Sequence, residues 1–367
     1  MKNSHLEKYA YTLVNYCVDV SEDDLVLLQG SSLAEPLVKA VYRAILSADA
    51  HCHYAADFAG KDELFYNNAS REQLEYVSPL KKFMLKNVDA MIRIGANHNT
   101  RELSEVDASR IKIHQSAQQE LMEIYMNRAA EGEFNWNVCQ YPTQADAQEA
   151  GMSLSSYEDF IVSACHLDKQ DPAAYWKNFS SEMERIAGIM ENKNEIRFLS
   201  EDTDLSLKIT DRSWLVDDAQ RNYPGGEIFS APLEDSAEGK IRFSFPGIYQ
   251  GREIKDIRLE FSQGKVVSAT AAEGEELLHQ LLEADEGARY LGEVAVGMNS
   301  GIDIFTRNML FDEKIGGTIH LALGRAYPES GGKNESSIHW DMLCDMRDGG
   351  EILADGEVIY REGEFLI

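Results

Sequence analysis

The chain has 367 residues, 44% of them hydrophobic and 27% charged, with 63 Asp and Glu against 35 Lys and Arg. This length suits two domains with sizeable cores, and so acidic a surface argues against phosphate backbones and anionic membranes as partners. The five cysteines, Cys17, Cys52, Cys139, Cys165 and Cys344, are odd in number and scattered with no C-x-x-C, which speaks against a disulfide framework and a zinc–thiolate site and for a reducing compartment.

MKNSHLEKYA has no apolar h-region, so no signal peptide is expected. No run of 18 apolar residues is present, so no membrane span is expected either, and a cytoplasmic protein is the expectation. Leu6, Tyr9, Ala10, Leu13, Val14 and Cys17 recur at helical spacing. Leu25 to Leu28 reads as a buried strand. Ser32 and Pro36 open a helix with Leu37, Val38, Val41 and Ile45 on one face. A strand around His51 to Ala56, a helix from Glu72 to Lys86 and a strand from Ala90 to Ile94 follow. A long helix is expected from Asp107, with Ile111, Leu121 and Ile124 inward, then a strand from Trp136 to Gln140 and helix over Ser156 to Asn192. Strands alternating with helices imply parallel pairing, so residues 1–192 are expected to form a doubly wound α/β domain.

From residue 193 the rhythm changes. Ile196 to Ser200, Leu205 to Thr210, Lys240 to Phe245, Ile257 to Phe261 and Val266 to Thr270 are short strand-like runs separated by turns such as Ser262-Gln263-Gly264. One helix, Glu273 to Glu283, interrupts them. Residues 193–367 are therefore expected to form an α+β domain rich in antiparallel strands.

The candidate chemistry lies in that second half. In SSIHWDM, His339 and Asp341 share a face of any strand that carries them. His320 stands in GGTIHLALGRAY. Glu227 follows the Pro-Gly-Gly turn of NYPGGEIFSAP, Glu293 lies in the apolar run YLGEVAVGMN, and Asp312 and Glu313 lie in MLFDEKIGG. A carboxylate in an apolar stretch is costly to bury unless it is paired or bound to metal. Mixed carboxylates and imidazoles suit zinc, manganese or cobalt. Taken singly each residue has an ordinary reading, as an exposed turn acid, a satisfied core histidine or a packing aromatic, and only their joint occurrence argues for a site. His51 and His53 with Asp57 nearby, and His98 in GANHNT, lack a third ligand and are expected to be surface or structural residues. The chain has no G-x-S-x-G, no G-x-x-x-x-G-K-[ST], no H-E-x-x-H and no G-x-G-x-x-G after its first strand.

Four ordered segments, NYPGGEIFSAP, LGEVAVGMN, MLFDEKIGGTIHLALGRAY and SSIHWDM, together with weaker ones at QYPTQADAQEAGMS and TDLSLKI, resemble the aminopeptidase T and aminopeptidase S family of metallopeptidases. The resemblance implies two divalent metals held by Glu227, Glu293, His320, Tyr327, His339 and Asp341. It also implies a homodimer, and removal of single residues from peptide N-termini. Within that reading Glu293 is the choice for the bridging ligand and Glu313 the candidate proton shuttle. Two alternatives stay open at this stage: a binuclear metal hydrolase of another substrate class, and a non-catalytic small-molecule-binding protein with its cleft in the N-terminal domain.

Overall fold

A computed structural model describes residues 1–249 and 251–367. The chain divides into two compact units, one made of Met1–Lys177 with Ala219–Pro224, the other of Asn178–Asp218 with Gly225–Ile367.

The first unit is built on a wholly parallel five-stranded sheet. Its strand order is His51–Asp57, Leu25–Ser31, Ala90–Gly95, Asn135–Gln140 and Asn222–Tyr223. The alternation of strand and helix patterns anticipates this pairing, because parallel neighbours need a crossover. The helix Glu35–Ser47 takes Pro36 in its first turn and buries Leu37, Val38, Val41 and Ile45.

Three expected helices are broken in two, each for a local reason. The Glu72 to Lys86 stretch is a short capped turn, Arg71–Leu74, and a second helix, Pro79–Asn87. The residue before a proline disfavours the helical region, and Ser78 instead caps the second helix through Lys81 N. The helix from Asp107 stops at Ala117 and restarts at Gln119; Leu121 is buried, while Ile111 and Ile124 are only half-buried. The Ser156 to Asn192 helix is Leu154–Ala164 and Pro172–Met190, separated by a loop in which His166 has a φ of 52°. A helix at Lys61–Asn68 escaped the periodicity because it buries no residue. Among the described residues no helix is long and apolar enough to cross a membrane.

The second unit holds two larger antiparallel sheets over one apolar core. The eight-stranded sheet includes Glu195–Ser200, Thr203–Lys208, Glu238–Phe243, Ile257–Ser262 and Lys265–Thr270, close to the expected runs. Its Ser262-Gln263-Gly264 turn needs positive φ at two positions, 49° and 76°, and a Cβ on Gly264 would lie 1.9 Å from the Glu234 carbonyl oxygen. The five-stranded sheet runs, in spatial order, His339–Asp345, Thr318–Gly324, Leu291–Gly297, Glu227–Ser230 and Leu215–Asp217, all antiparallel.

That second sheet has two unlike faces. One carries Ile228, Val294, Val296, Ile319, Leu321, Leu323, Trp340, Met342 and Cys344, all buried in the core with residues of the eight-stranded sheet. The register fixes the composition of the other. Asp217 pairs with Glu227, Glu227 with Gly297, Ala295 with His320, Glu293 with Ala322, Ala322 with Asp341, and Gly324 with His339. Directly paired residues share a face, so Asp217, Glu227, Glu293, His320, His339 and Asp341 all rise from the same side of one sheet.

Candidate metal centre

Small residues make the floor of this face. Ala295, Gly297, Ala322 and Gly324 sit between the polar side chains, and their lack of bulk leaves the space above the sheet to carboxylates and imidazoles. A register shift lies between Leu291 and Glu293. Strict alternation would put those two residues on one face; with Gly292 as the extra residue, Leu291 turns into the core while Glu293 faces the histidines.

The side chains converge in a chain of short contacts. Glu227 Oε2 is 3.4 Å from His320 Nε2, and His320 Nε2 is 3.1 Å from Glu293 Oε1. Glu293 Oε2 is 3.7 Å from His339 Nε2, which is 3.4 Å from Asp341 Oδ1. The Glu293 carboxylate thus lies between two imidazoles, one oxygen toward each. Glu293, His339 and Asp341 offer ligand atoms that all lie within 4.8 Å of one another.

The remaining expected residues border this cluster. The Tyr327 ring is 5.3 Å from the His339 ring and 5.6 Å from that of Phe229, both edge-on, and the residue is 45% exposed. Glu313 follows the short helix Met309–Asp312 and bonds Lys314 Nζ. Asp312 belongs elsewhere. It is buried and accepts from Thr306 N at 2.7 Å and Thr306 Oγ1 at 2.8 Å, closing the loop before its own helix, and burial pushes its carboxyl up to about 7. His51, His53 and His98 are exposed.

Two members of the cluster were not anticipated, Asp217 and Lys314. Lys314 Nζ is fully enclosed, 3.2 Å from Asp217 Oδ2 and 3.1 Å from Glu227 Oε1, and also bonds Glu313. The signal for Lys314 was a lysine between the acids Asp312 and Glu313 and the run Ile315-Gly316-Gly317, in a segment whose burial would leave an ammonium in need of anionic partners. Asp217, at the end of a three-residue strand, has no comparable mark.

Electrostatics follow from crowding acids in a dry place. Burial pushes the Glu227 carboxyl well above the usual carboxylate range and raises Glu293. Burial also works against the charged imidazoles, but the surrounding carboxylates win and hold His320 at about 9 and His339 at about 10. Asp341 lies below its ordinary value because the imidazoles outweigh its burial. Burial, then the charges of Glu293, Asp341, Glu313 and Glu227, push the Tyr327 phenol up.

The donor set fits a metal. Glu227 Oε2, Glu293 Oε2, His320 Nδ1 and Asp341 Oδ1 are buried without a hydrogen-bond partner, and such atoms are costly unless something coordinates or bonds them. His339 Nδ1 lies 2.8 Å from the Arg325 carbonyl oxygen, which can only accept. That bond keeps a proton on Nδ1 and leaves Nε2 as the ring nitrogen facing Glu293 and Asp341, the orientation common in metal-ligating histidines.

Asp285 ties down the segment that leads into His339. It accepts from Ala288 N, Ser336 Oγ, Ser337 N and Ser337 Oγ, and these bonds, those of Ser337 first, hold its carboxyl at about 2. A folded-state value below the unfolded one, about 3.9, gives stability that is present above pH 4 and lost as pH falls toward 2. Asp285→Ala is therefore expected to lower the urea midpoint at pH 7, with the gap to wild type closing as the pH approaches 2. A gap independent of pH would show that the bonds contribute no ionic stability.

Comparison with known proteins places this chain in a family. Residues 2–365 match the family model described as thermophilic metalloprotease (M29). The chain is 26% identical to aminopeptidase 2 of Geobacillus stearothermophilus, covering 98% of this chain and 97% of that one. It is 27% identical to aminopeptidase AmpS of Bacillus subtilis, covering 98% of each. The fold is that of wild-type AmpT from Thermus thermophilus, with a TM-score of 0.85, 21% identity and 99% of both chains covered. The chain belongs to the thermophilic metalloprotease family, and is thereby an enzyme of the peptide-hydrolase class.

Proposed function

We propose that this chain is an aminopeptidase that holds two divalent ions on Glu227, Glu293, His320, Tyr327, His339 and Asp341 and cleaves the first peptide bond of its substrates. The observation that carries this reading is the Glu293 carboxylate between His320 and His339, one oxygen facing each, where it would serve as a ligand to both ions. Charge supports the number. With both imidazoles neutral, as metal ligands are, Asp217, Glu227, Glu293, Glu313 and Asp341 stand against the ammonium of Lys314; four negative charges remain, which two divalent cations would balance. Oxygen and imidazole donors suit zinc, cobalt or manganese.

When bound, the pair of ions supplies the Lewis acidity that activates a water and polarises the scissile carbonyl. The chain's own groups do the rest. The acidic balance of the whole chain, 63 Asp and Glu against 35 Lys and Arg, attracts the cationic end of a peptide. Tyr327, the most exposed of the proposed ligands, borders the solvent side of the cluster. Glu313, bonded to Lys314 and about a fifth exposed, is the group we assign to take a proton at its carboxylate and return it to the leaving amine.

Elemental analysis of the purified protein, with leucyl-anilide hydrolysis measured before and after chelation, tests the reading. Near two ions per chain and chelator-sensitive release of leucine are expected; no metal after reconstitution with zinc, cobalt or manganese would sink it. For the shuttle, Glu313→Gln should keep the metal and lose roughly a hundredfold or more in turnover. Unchanged turnover would remove Glu313 from the mechanism.

Two further parts of the proposal concern the protein's surroundings. Tyr76, Leu80, Phe83 and Met122 of the first unit stay exposed, and an apolar surface of this kind suits a homodimer. Among the described residues none of the five cysteines is in a disulfide, which suits a reducing, cytoplasmic setting.

A further inference from the structure

The two ends of the carboxylate cluster are not electrically alike. At one end Lys314 is enclosed, and its neighbours are Asp217, Glu227 and Glu313. Glu227 and Glu313 accept from the ammonium, and Asp217 Oδ2 lies 3.2 Å from it. At the other end, among the described residues, the ion pairs of Glu293 and Asp341 are with imidazoles alone.

We propose that Lys314 is a positioning residue that makes the two ion sites unequal: the Glu293–His339–Asp341 end fills first and tightly, and the Glu227–His320 end fills second and weakly. The inference rests on the dinuclear reading. Its physical basis is a fixed positive charge within bonding distance of Glu227, in a place where neither water nor salt screens it well. Lys314 also orients Glu227, whose Oε1 faces the ammonium at 3.1 Å while its Oε2 faces His320 Nε2 at 3.4 Å. Asp217 acts in the opposite sense. It touches Lys314 and offsets part of its charge. The enzyme then carries one resident ion, and its activity follows the free concentration of the second.

The two neighbours of Glu227 should therefore shift affinity in opposite directions, which a merely structural role would not do. The experiment is competition titration of the metal-free full chain with zinc against a chromophoric chelator, resolving the two steps in wild type, Lys314→Met and Asp217→Asn. In wild type the steps should lie at least about tenfold apart. Lys314→Met should tighten the weaker step by about tenfold or more, and Asp217→Asn should loosen it by a similar factor, with the tighter step little changed in either. Circular dichroism reports whether each variant is folded; if Lys314→Met is not, the near-isosteric Asp217→Asn decides alone. Uptake of two ions by wild type, with the weaker step unmoved or shifted the other way in the folded variants, overturns the inference and leaves the dinuclear reading standing. Uptake of fewer than two by wild type overturns both.

Discussion

Glu293→Ala is expected to abolish aminopeptidase turnover, by roughly three orders of magnitude, and to leave less than one ion bound per chain. The size follows from position. Glu293 is the side chain that reaches both histidines, so its loss removes a donor from each proposed site, and losing even one preorganised electrostatic contact commonly costs 10²- to 10³-fold. The stability effect should run the other way. Glu293 is a buried carboxylate with an oxygen that has no hydrogen-bond partner, and burial disfavours its charge. In chelated protein, Glu293→Ala should melt at or above the wild-type temperature; in metal-loaded protein it should melt below it, because wild type alone gains from ligand binding. Wild-type turnover and metal content in this variant would remove Glu293 from the centre.

The second large effect is expected at a residue that touches no proposed ion. Trp340 stands between His339 and Asp341 in sequence and therefore points to the opposite face, where it is buried. Its Nε1 donates to the Ile248 carbonyl at 3.1 Å, and its ring packs against Gly247, where a Cβ would meet it at 2.6 Å. Trp340→Ala should destabilise the metal-free protein by about 3–5 kcal/mol through the cavity and should leave the Ile248 carbonyl short of a donor. Because the same strand carries His339 and Asp341, metal affinity should fall with it. Trp340→Phe should recover much of the packing. Urea unfolding of chelated protein checks the first statement and metal titration the second; an unchanged midpoint would show that this strand is not held by its core face.

These expectations rest on features of unequal visibility in the sequence. The strand–helix alternation of the first half and the short strands of the second follow from local periodicity, and both were legible. The breaks at Ser78-Pro79 and Gln118 were not, because apolar spacing continues across them. In the candidate site, the common face of His339 and Asp341 follows from a period of two. The convergence of Glu227, Glu293 and His320 does not, since it depends on which strands pair and in what register. The Gly292 bulge is a clear case, because counting alternate residues would place Leu291 beside the proposed ligands. Lys314 and Asp217 were missed because a buried charge is explained by partners far along the chain, and those become visible only once the sheet is assembled.

The register also sets a limit on how this centre can vary. Glu293 and Asp341 stand on the two strands flanking Ala322, and neighbouring strands in a sheet lie about 4.8 Å apart. The backbone separation of the two acids is thus fixed in steps of that spacing by hydrogen bonds that no side chain controls. Reach can be adjusted only through side-chain length, one carbon at a time, or about 1.5 Å. Exchanging Glu for Asp at 293, or Asp for Glu at 341, keeps charge and chemistry but changes the reach by a full step, so the sheet works as a ruler that makes these two acids non-interchangeable.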